Sequence, residues 1–204
     1  MTEAAVGVLA AEASRRRLTL RQVAVVEQLV EAAADEARDR GYEGLTVRNV
    51  ARRAGVAPAT AYTYFASKDH LLAEVLWRRL QALPVPESPD GPHATGGAGP
   101  TERVVAELRV LGLFMADDPT LAAACTTALL GSGPEVRALR VLFGTALHQR
   151  LSNALGDHAD EAVLRSLDLA YSGAMLWAGM GHIRFEDVPD ALADAARLVL
   201  RGAP

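Results

Sequence analysis

Residues Leu45–Lys68 read LTVRNVARRAGVAPATAYTYFASK and hold Arg48, Arg52, Arg53 and Lys68 without one Asp or Glu. Elsewhere the 204-residue chain carries 25 acidic residues against the remaining 17 basic ones. An acid-free island in an acidic protein points to a bound polyanion. The pattern is two short helices around a tight turn. Thr46 can cap the first, and Val47, Val50, Ala51 and Ala54 recur on one apolar face. Gly55 suits the left-handed stop, and Pro58 suits the first turn of the next helix. Ala61 and Phe65 then turn inward, leaving Ala59, Thr60, Tyr62, Thr63 and Tyr64 on or near the outer face. Short, uncharged, hydroxyl-bearing side chains let a helix sit deep in a major groove, bonding phosphates and base edges. Ser67 caps a third helix with Lys68 in its first turn. A lysine there opposes the helix dipole, which points to another use such as reaching a phosphate.

Upstream, Thr19 and Gln22 fit a capping box. Val26, Leu29, Val30, Ala33 and Ala37 share one helical face, and Gly41 closes that helix. Three short helices can bury a core that two cannot, so this one must pack across the pair. Residues 1–18 lack caps or a core pattern and read as a mobile arm ending in Arg15, Arg16 and Arg17. That arm is either a solvated tail or a basic extension that reaches DNA. Downstream, a helix over 68–83 carries Leu72, Val75, Leu76, Leu80 and Leu83 inward and is long enough to join the next part of the chain.

The run Gly41–Leu72 resembles the DNA-binding segment of the TetR family of bacterial transcriptional regulators. Gly55, Val56, Thr60, Tyr62, Tyr64, Phe65, Ser67 and Lys68 stand at the spacing of the family's signature. The resemblance covers about the first 83 residues; beyond them the chain matches only in being helical. It implies a DNA reader, with Thr60 and Thr63 approaching bases beside Ala59, and Tyr62, Tyr64, Lys68 and Thr46 holding phosphates. Arg48 would contact phosphate or a base edge. It also implies a connector role for helix 68–83, dimerisation through the last long helices, and repression over activation. Ala59 and Ala61 replace bulkier residues common in relatives, and Ala61 thins the core of the motif.

Residues 1–83 hold 12 basic and 10 acidic residues, and residues 84–204 hold 9 and 15, so the positive charge is local. Cys125 is the sole cysteine, which excludes an intramolecular disulfide and suits a reducing compartment. With no signal peptide pattern and no apolar run of spanning length, a cytoplasmic protein is expected. Pro84–Pro100 has five prolines and four glycines in 17 residues and reads as a linker, with nothing to favour a lid over a passive connector.

From Thr101 the breakers define helices over 101–116, 119–130, 134–155, 160–183 and 189–201. The fold class is all-α, nine helices in two layers. The domains expected are an arm (1–18), a helix-turn-helix DNA-binding domain (19–67), a connector (68–83), a linker (84–100) and a ligand-binding and dimerisation domain (101–204).

Helix 160–183 is apolar nearly all round from Leu167 to Ile183, so both sides should be buried, one of them by a second subunit. Gly173, Ala174, Ala178, Gly179 and Gly181 would admit a close helix, and Leu192, Ala195, Ala196 and Val199 offer a matching face. Four such helices make a two-fold homodimer interface. Leu111, Phe114, Met115, Cys125, Leu129, Phe143, Leu147, Tyr171, Met175 and Trp177 are candidates to line a pocket for an apolar effector. Acyl chains, steroids and many drugs fit that description. His148 and Arg150 could place a polar or anionic group.

The five histidines show no metal-binding spacing, Cys125 has no evident base, and no glycine-rich phosphate loop follows a strand. Neither an enzyme nor a cofactor is expected. A helical small-molecule-binding scaffold that leaves DNA alone is the rival, and it leaves the acid-free segment unexplained. A ligand-responsive repressor on a palindromic double-stranded DNA site is the favoured expectation.

Overall fold

The computed structural model describes residues 19–84 and 98–201. The expected arm, with Arg15–Arg17, and most of the linker lie outside the described residues. Every regular element among those described is helical: α1 (Leu20–Gly44), α2 (Val47–Arg53), α3 (Pro58–Tyr64), α4 (Lys68–Gln81), α5 (Pro100–Leu113), α6 (Pro119–Ala128), α7 (Pro134–Leu155), α8 (Glu161–Gly179) and α9 (Val188–Arg201). Two single 3-10 turns, Gly156–His158 and Phe185–Asp187, precede α8 and α9. No helix of the described residues is long and apolar enough to cross a membrane.

Contacts divide the chain into two units. The first comprises the residues up to Arg79 together with Thr120–Phe143. Its entry is the capping box: Gln22 N–H donates to Thr19 Oγ1, and Thr19 N–H donates to Gln22 Oε1 at 2.8 Å. Val26, Leu29, Val30, Ala33 and Ala37 are buried on α1. The regular helix breaks at Gly41, whose φ of 64° is the left-handed conformation that glycine adopts without steric penalty. α2 packs on both α1 and α3. Ala61 and Phe65 are both buried. On α4, Leu71 to Trp77 are all buried, including Glu74; the seam expected from Leu72, Val75 and Leu76 is therefore only part of what this helix covers. Cys125 Sγ lies 3.5 Å from the Leu72 carbonyl, which ties α6 to α4.

The second unit comprises Leu80–Pro119 and Gly144 onward. α9 packs along α5 and against α8. The approach is closest at Gly112, where a Cβ would stand 3.1 Å from Pro189 Cγ. A buried ion pair, Arg150 to Glu107, joins α7 to α5. Burial pushes the Glu107 carboxyl above its ordinary value, and the Arg150 guanidinium pulls it back. Arg150 also donates to the Pro84 carbonyl at 2.7 Å, and Arg103 donates to the carbonyls of Ala98 and Ala154. Two arginines thus clip the chain on either side of the proline- and glycine-rich stretch.

Four helix ends fall short of expectation, α4 among them at Gln81, two residues before Leu83. α5 stops at Leu113 and α6 at Ala128, each two or three residues early, as tight turns take over. α8 stops at Gly179, not Ile183, because Gly181 at φ 79° lets His182 N–H bond back to the Trp177 carbonyl.

Candidate nucleic-acid interface

Local chemistry builds the site as the spacing requires. Thr46 Oγ1 accepts from Asn49 N–H at 3.1 Å and starts α2. α2 ends in a double backbone cap, Gly55 N–H to Arg52 O and Val56 N–H to Ala51 O, with Gly55 at φ 66°. Pro58 opens α3, and Ser67 Oγ accepts from His70 N–H to open α4.

This frame displays the expected face. Ala59, Thr60, Tyr62 and Thr63 are exposed on α3, Tyr64 is half-buried, and Thr46 and Arg48 are exposed on α2. Tyr62 keeps 54% of its surface in solvent, unusual for a tyrosine with an apolar core a turn away. Thr63 donates its hydroxyl to the Ala59 carbonyl and keeps its lone pairs for an incoming donor. Arg52 lies on the same helix as Arg48, its guanidinium donating to Asn49 Oδ1.

The charge of the segment needs one correction. Arg53 is not unopposed: its guanidinium pairs with Glu36 at 3.1 Å and with Asp39. Those carboxylates come from the last turns of α1, remote in sequence, so an acid-free stretch did not mean an acid-free surface. Among the described residues, Arg48 and Arg52 pair with no carboxylate and carry the net positive charge of the face. Lys68 is held too. Its ammonium donates to the Tyr42 carbonyl at 2.9 Å and stands 3.8 Å over the Tyr42 ring. The Tyr42 hydroxyl in turn donates to Asp69 Oδ1 at 2.7 Å. Burial and the neighbouring carboxylate push that phenol up to about 12. Tyr42 and Asp69 escaped the sequence argument; the signal available was an aromatic directly after the helix-ending Gly41.

Residues 29–75, the span that holds this whole arrangement, match the family model of bacterial regulatory proteins, tetR family. Over 185 residues the chain is 41% identical to an HTH-type transcriptional regulator of Mycobacterium bovis, covering 90% of this chain and 84% of that one. The chain belongs to the TetR family. It is a DNA-binding transcriptional regulator, not an enzyme. It is also 28% identical to the HTH-type transcriptional repressor KstR of Mycobacterium tuberculosis, over 85% of this chain and 80% of that one. Its fold is similar to the crystal structure of a TetR transcriptional regulator from Rhodococcus sp. RHA1, with a TM-score of 0.71 at 23% identity, covering 91% and 100% of the two chains.

The other expected residues of this TetR-family regulator are placed as follows. Of the ten candidate lining residues, Cys125, Leu129 and Phe143 belong to the first unit, and Leu111, Phe114, Met115, Leu147, Tyr171, Met175 and Trp177 to the second. Leu111, Met115, Cys125, Leu147, Tyr171 and Met175 are buried, whereas Trp177 is 57% exposed and lines no interior of its own unit. Tyr171, whose phenol burial raises, donates to the Leu111 carbonyl. Arg150 is consumed by Glu107 and Pro84, and His148 Nδ1 lies 2.8 Å from Asp168 Oδ2. Both side chains are thus partnered within the chain.

Within the single chain α8 buries one of its two sides, and the side expected to meet a second subunit is open. Leu167, Tyr171, Met175 and Ala178 face the unit's own core, while Leu169, Trp177 and Met180 are exposed at 68%, 57% and 54%. Gly173 is exposed among them, with open space where a Cβ would go. Ala174 and Gly179 are partly covered, and Gly181 is the helix cap. On α9, Leu192 and Ala196 are buried inside the unit, leaving Ala195, Val199 and the exposed Leu198 outward. Among the described residues no group of three or more His, Cys, Asp or Glu side chains could hold a metal ion.

Proposed function

We propose that this regulator is a ligand-responsive repressor that binds a palindromic operator as a homodimer. The observation that carries the DNA half is the single display of Thr60, Tyr62 and Thr63 on α3 beside Thr46, Arg48 and Arg52 on α2. In this reading Thr60 and Thr63 approach base edges, with Ala59 giving the close fit that a bulkier side chain would prevent. Tyr62, Tyr64, Lys68 and Thr46 hold phosphates, and Arg48 reaches a phosphate or a guanine edge.

The dimer half is supported by the exposed apolar face of α8, Leu169, Trp177 and Met180, with Leu198 on α9. Large apolar side chains in that number along one helix face favour a partner over water. A second copy is the occupant chosen, because two readers one helical turn apart, about 34–36 Å, explain a palindromic site. The effector is an apolar small molecule, with the buried candidates Leu111, Met115, Leu147 and Met175 of the second unit as its lining; it lowers affinity only if it favours a state other than the DNA-bound one. The name of KstR supports repression.

Fluorescence anisotropy with a fragment from the region upstream of the protein's own gene tests the DNA half. Binding should weaken steeply and log-linearly with salt. A flat salt response, or no preference over an unrelated fragment, would remove it. A co-purified compound seen by native mass spectrometry, or its absence from any helical-bundle cavity in a crystal, decides the effector half.

A further inference from the structure

We propose that Tyr42 is a positioning residue for Lys68: its carbonyl and its ring face hold the ammonium in place at the start of α4, ready for a DNA phosphate. This rests on the reading of Lys68 as a phosphate contact. Lys68 occupies the first turn of α4, where the helix dipole repels a cation, and a flexible lysine there would otherwise swing outward. The geometry shows what prevents this. Nζ donates to the Tyr42 carbonyl at 2.9 Å and sits 3.8 Å above the same residue's ring, so two contacts from one residue define its place. The ring is fixed in its turn by the hydroxyl's 2.7 Å bond to Asp69 Oδ1, and Tyr42 follows the left-handed Gly41, which sets the direction of its backbone. An ammonium has three N–H donors, and this cradle uses one in a hydrogen bond and turns another to the ring. The side chain is half-buried, and the third N–H is the one left for a phosphate oxygen. Holding the lysine beforehand removes part of the side-chain entropy cost of ordering it on DNA.

Lys68 is the only lysine in the chain, so labelling with ¹³Cε-lysine yields one side-chain signal without assignment. In the DNA-free wild type its ε-methylene resonance should lie upfield of the random-coil position, shifted by the Tyr42 ring, and Tyr42→Phe should keep that shift. Tyr42→Leu should abolish it. A random-coil position in the wild type overturns the proposal whether or not any variant folds. Binding to a duplex of about 30 base pairs of arbitrary sequence supplies the functional arm. Lys68→Ala should reduce the slope of log K against log salt by about 0.9, the value of one phosphate. Tyr42→Leu should weaken binding about three- to tenfold in the wild type. In the Lys68→Ala background it should have almost no effect, since the two act through one contact. Full additivity overturns the positioning role and leaves Lys68 a phosphate contact. An unchanged slope in Lys68→Ala removes the phosphate reading, and the proposal with it.

Discussion

At the scale of single residues, cations that look alike in the sequence have different work. Arg48 and Arg52 face outward without a carboxylate, while Arg53 is neutralised by Glu36 and Asp39. We therefore expect Arg48→Ala and Arg52→Ala each to lower the salt slope of DNA binding by about 0.9, and Arg53→Ala to leave it unchanged while lowering thermal stability. Titrations across a salt series separate the two outcomes. If Arg48 reads a guanine, Arg48→Ala also relaxes preference at that base pair by about 1–3 kcal/mol. Tyr62→Phe should weaken binding to every sequence alike, because a hydroxyl bound to phosphate carries no base information.

Between elements, two contacts concentrate the energetics of the second unit. Gly112 meets Pro189 so closely that an added Cβ would fall 3.3 Å from Pro189 N and Cα, a contact that requires the neighbour to give by a few tenths of an ångström. Gly112→Ala should push α5 and α9 apart and cost about 1–3 kcal/mol in urea unfolding. The pair Arg150–Glu107 is buried on both sides, so losing one partner costs far more than the pair is worth. Arg150→Met should destabilise by about 3–5 kcal/mol, with Glu107→Leu added to it restoring much of the loss. That deficit depends on pH. Burial alone raises the Glu107 carboxyl, and without Arg150 nothing opposes it. The variant's carboxyl therefore titrates higher than the wild type's. The loss should be largest above this raised value, where the lone charge is buried, and should shrink as pH falls through it. Denaturation curves at acid and neutral pH check the sign.

On the scale of the whole molecule, the exposed stripe of Leu169, Trp177 and Met180 is the feature that a single chain leaves unexplained. Trp177→Glu, placed in the middle of it, should turn a dimer into a monomer in sedimentation equilibrium. Operator affinity should then fall by roughly 10²–10⁴, since two readers no longer dock as one body. An unchanged mass would mean that this face meets something other than a second copy.

Local chemistry made the reader legible in the sequence. Thr19, Thr46, Gly55 and Ser67 act through bonds to residues at most four positions away, and Pro58 through its own fixed φ, so their spacing alone placed α1 to α4. Periodicity likewise located Val26, Leu29, Ala61 and Phe65 in the core, and the outer face followed as its complement. What folding decided were pairings across long separations: Arg53 with Asp39, Lys68 with Tyr42, and Arg150 with Glu107, 14, 26 and 43 residues apart. A one-dimensional pattern records which side chains share a face but not which other segment meets it. For that reason the apolar run of α8 implied two covered sides without naming the segments that cover them, and packing within the chain supplies one, leaving Trp177 exposed.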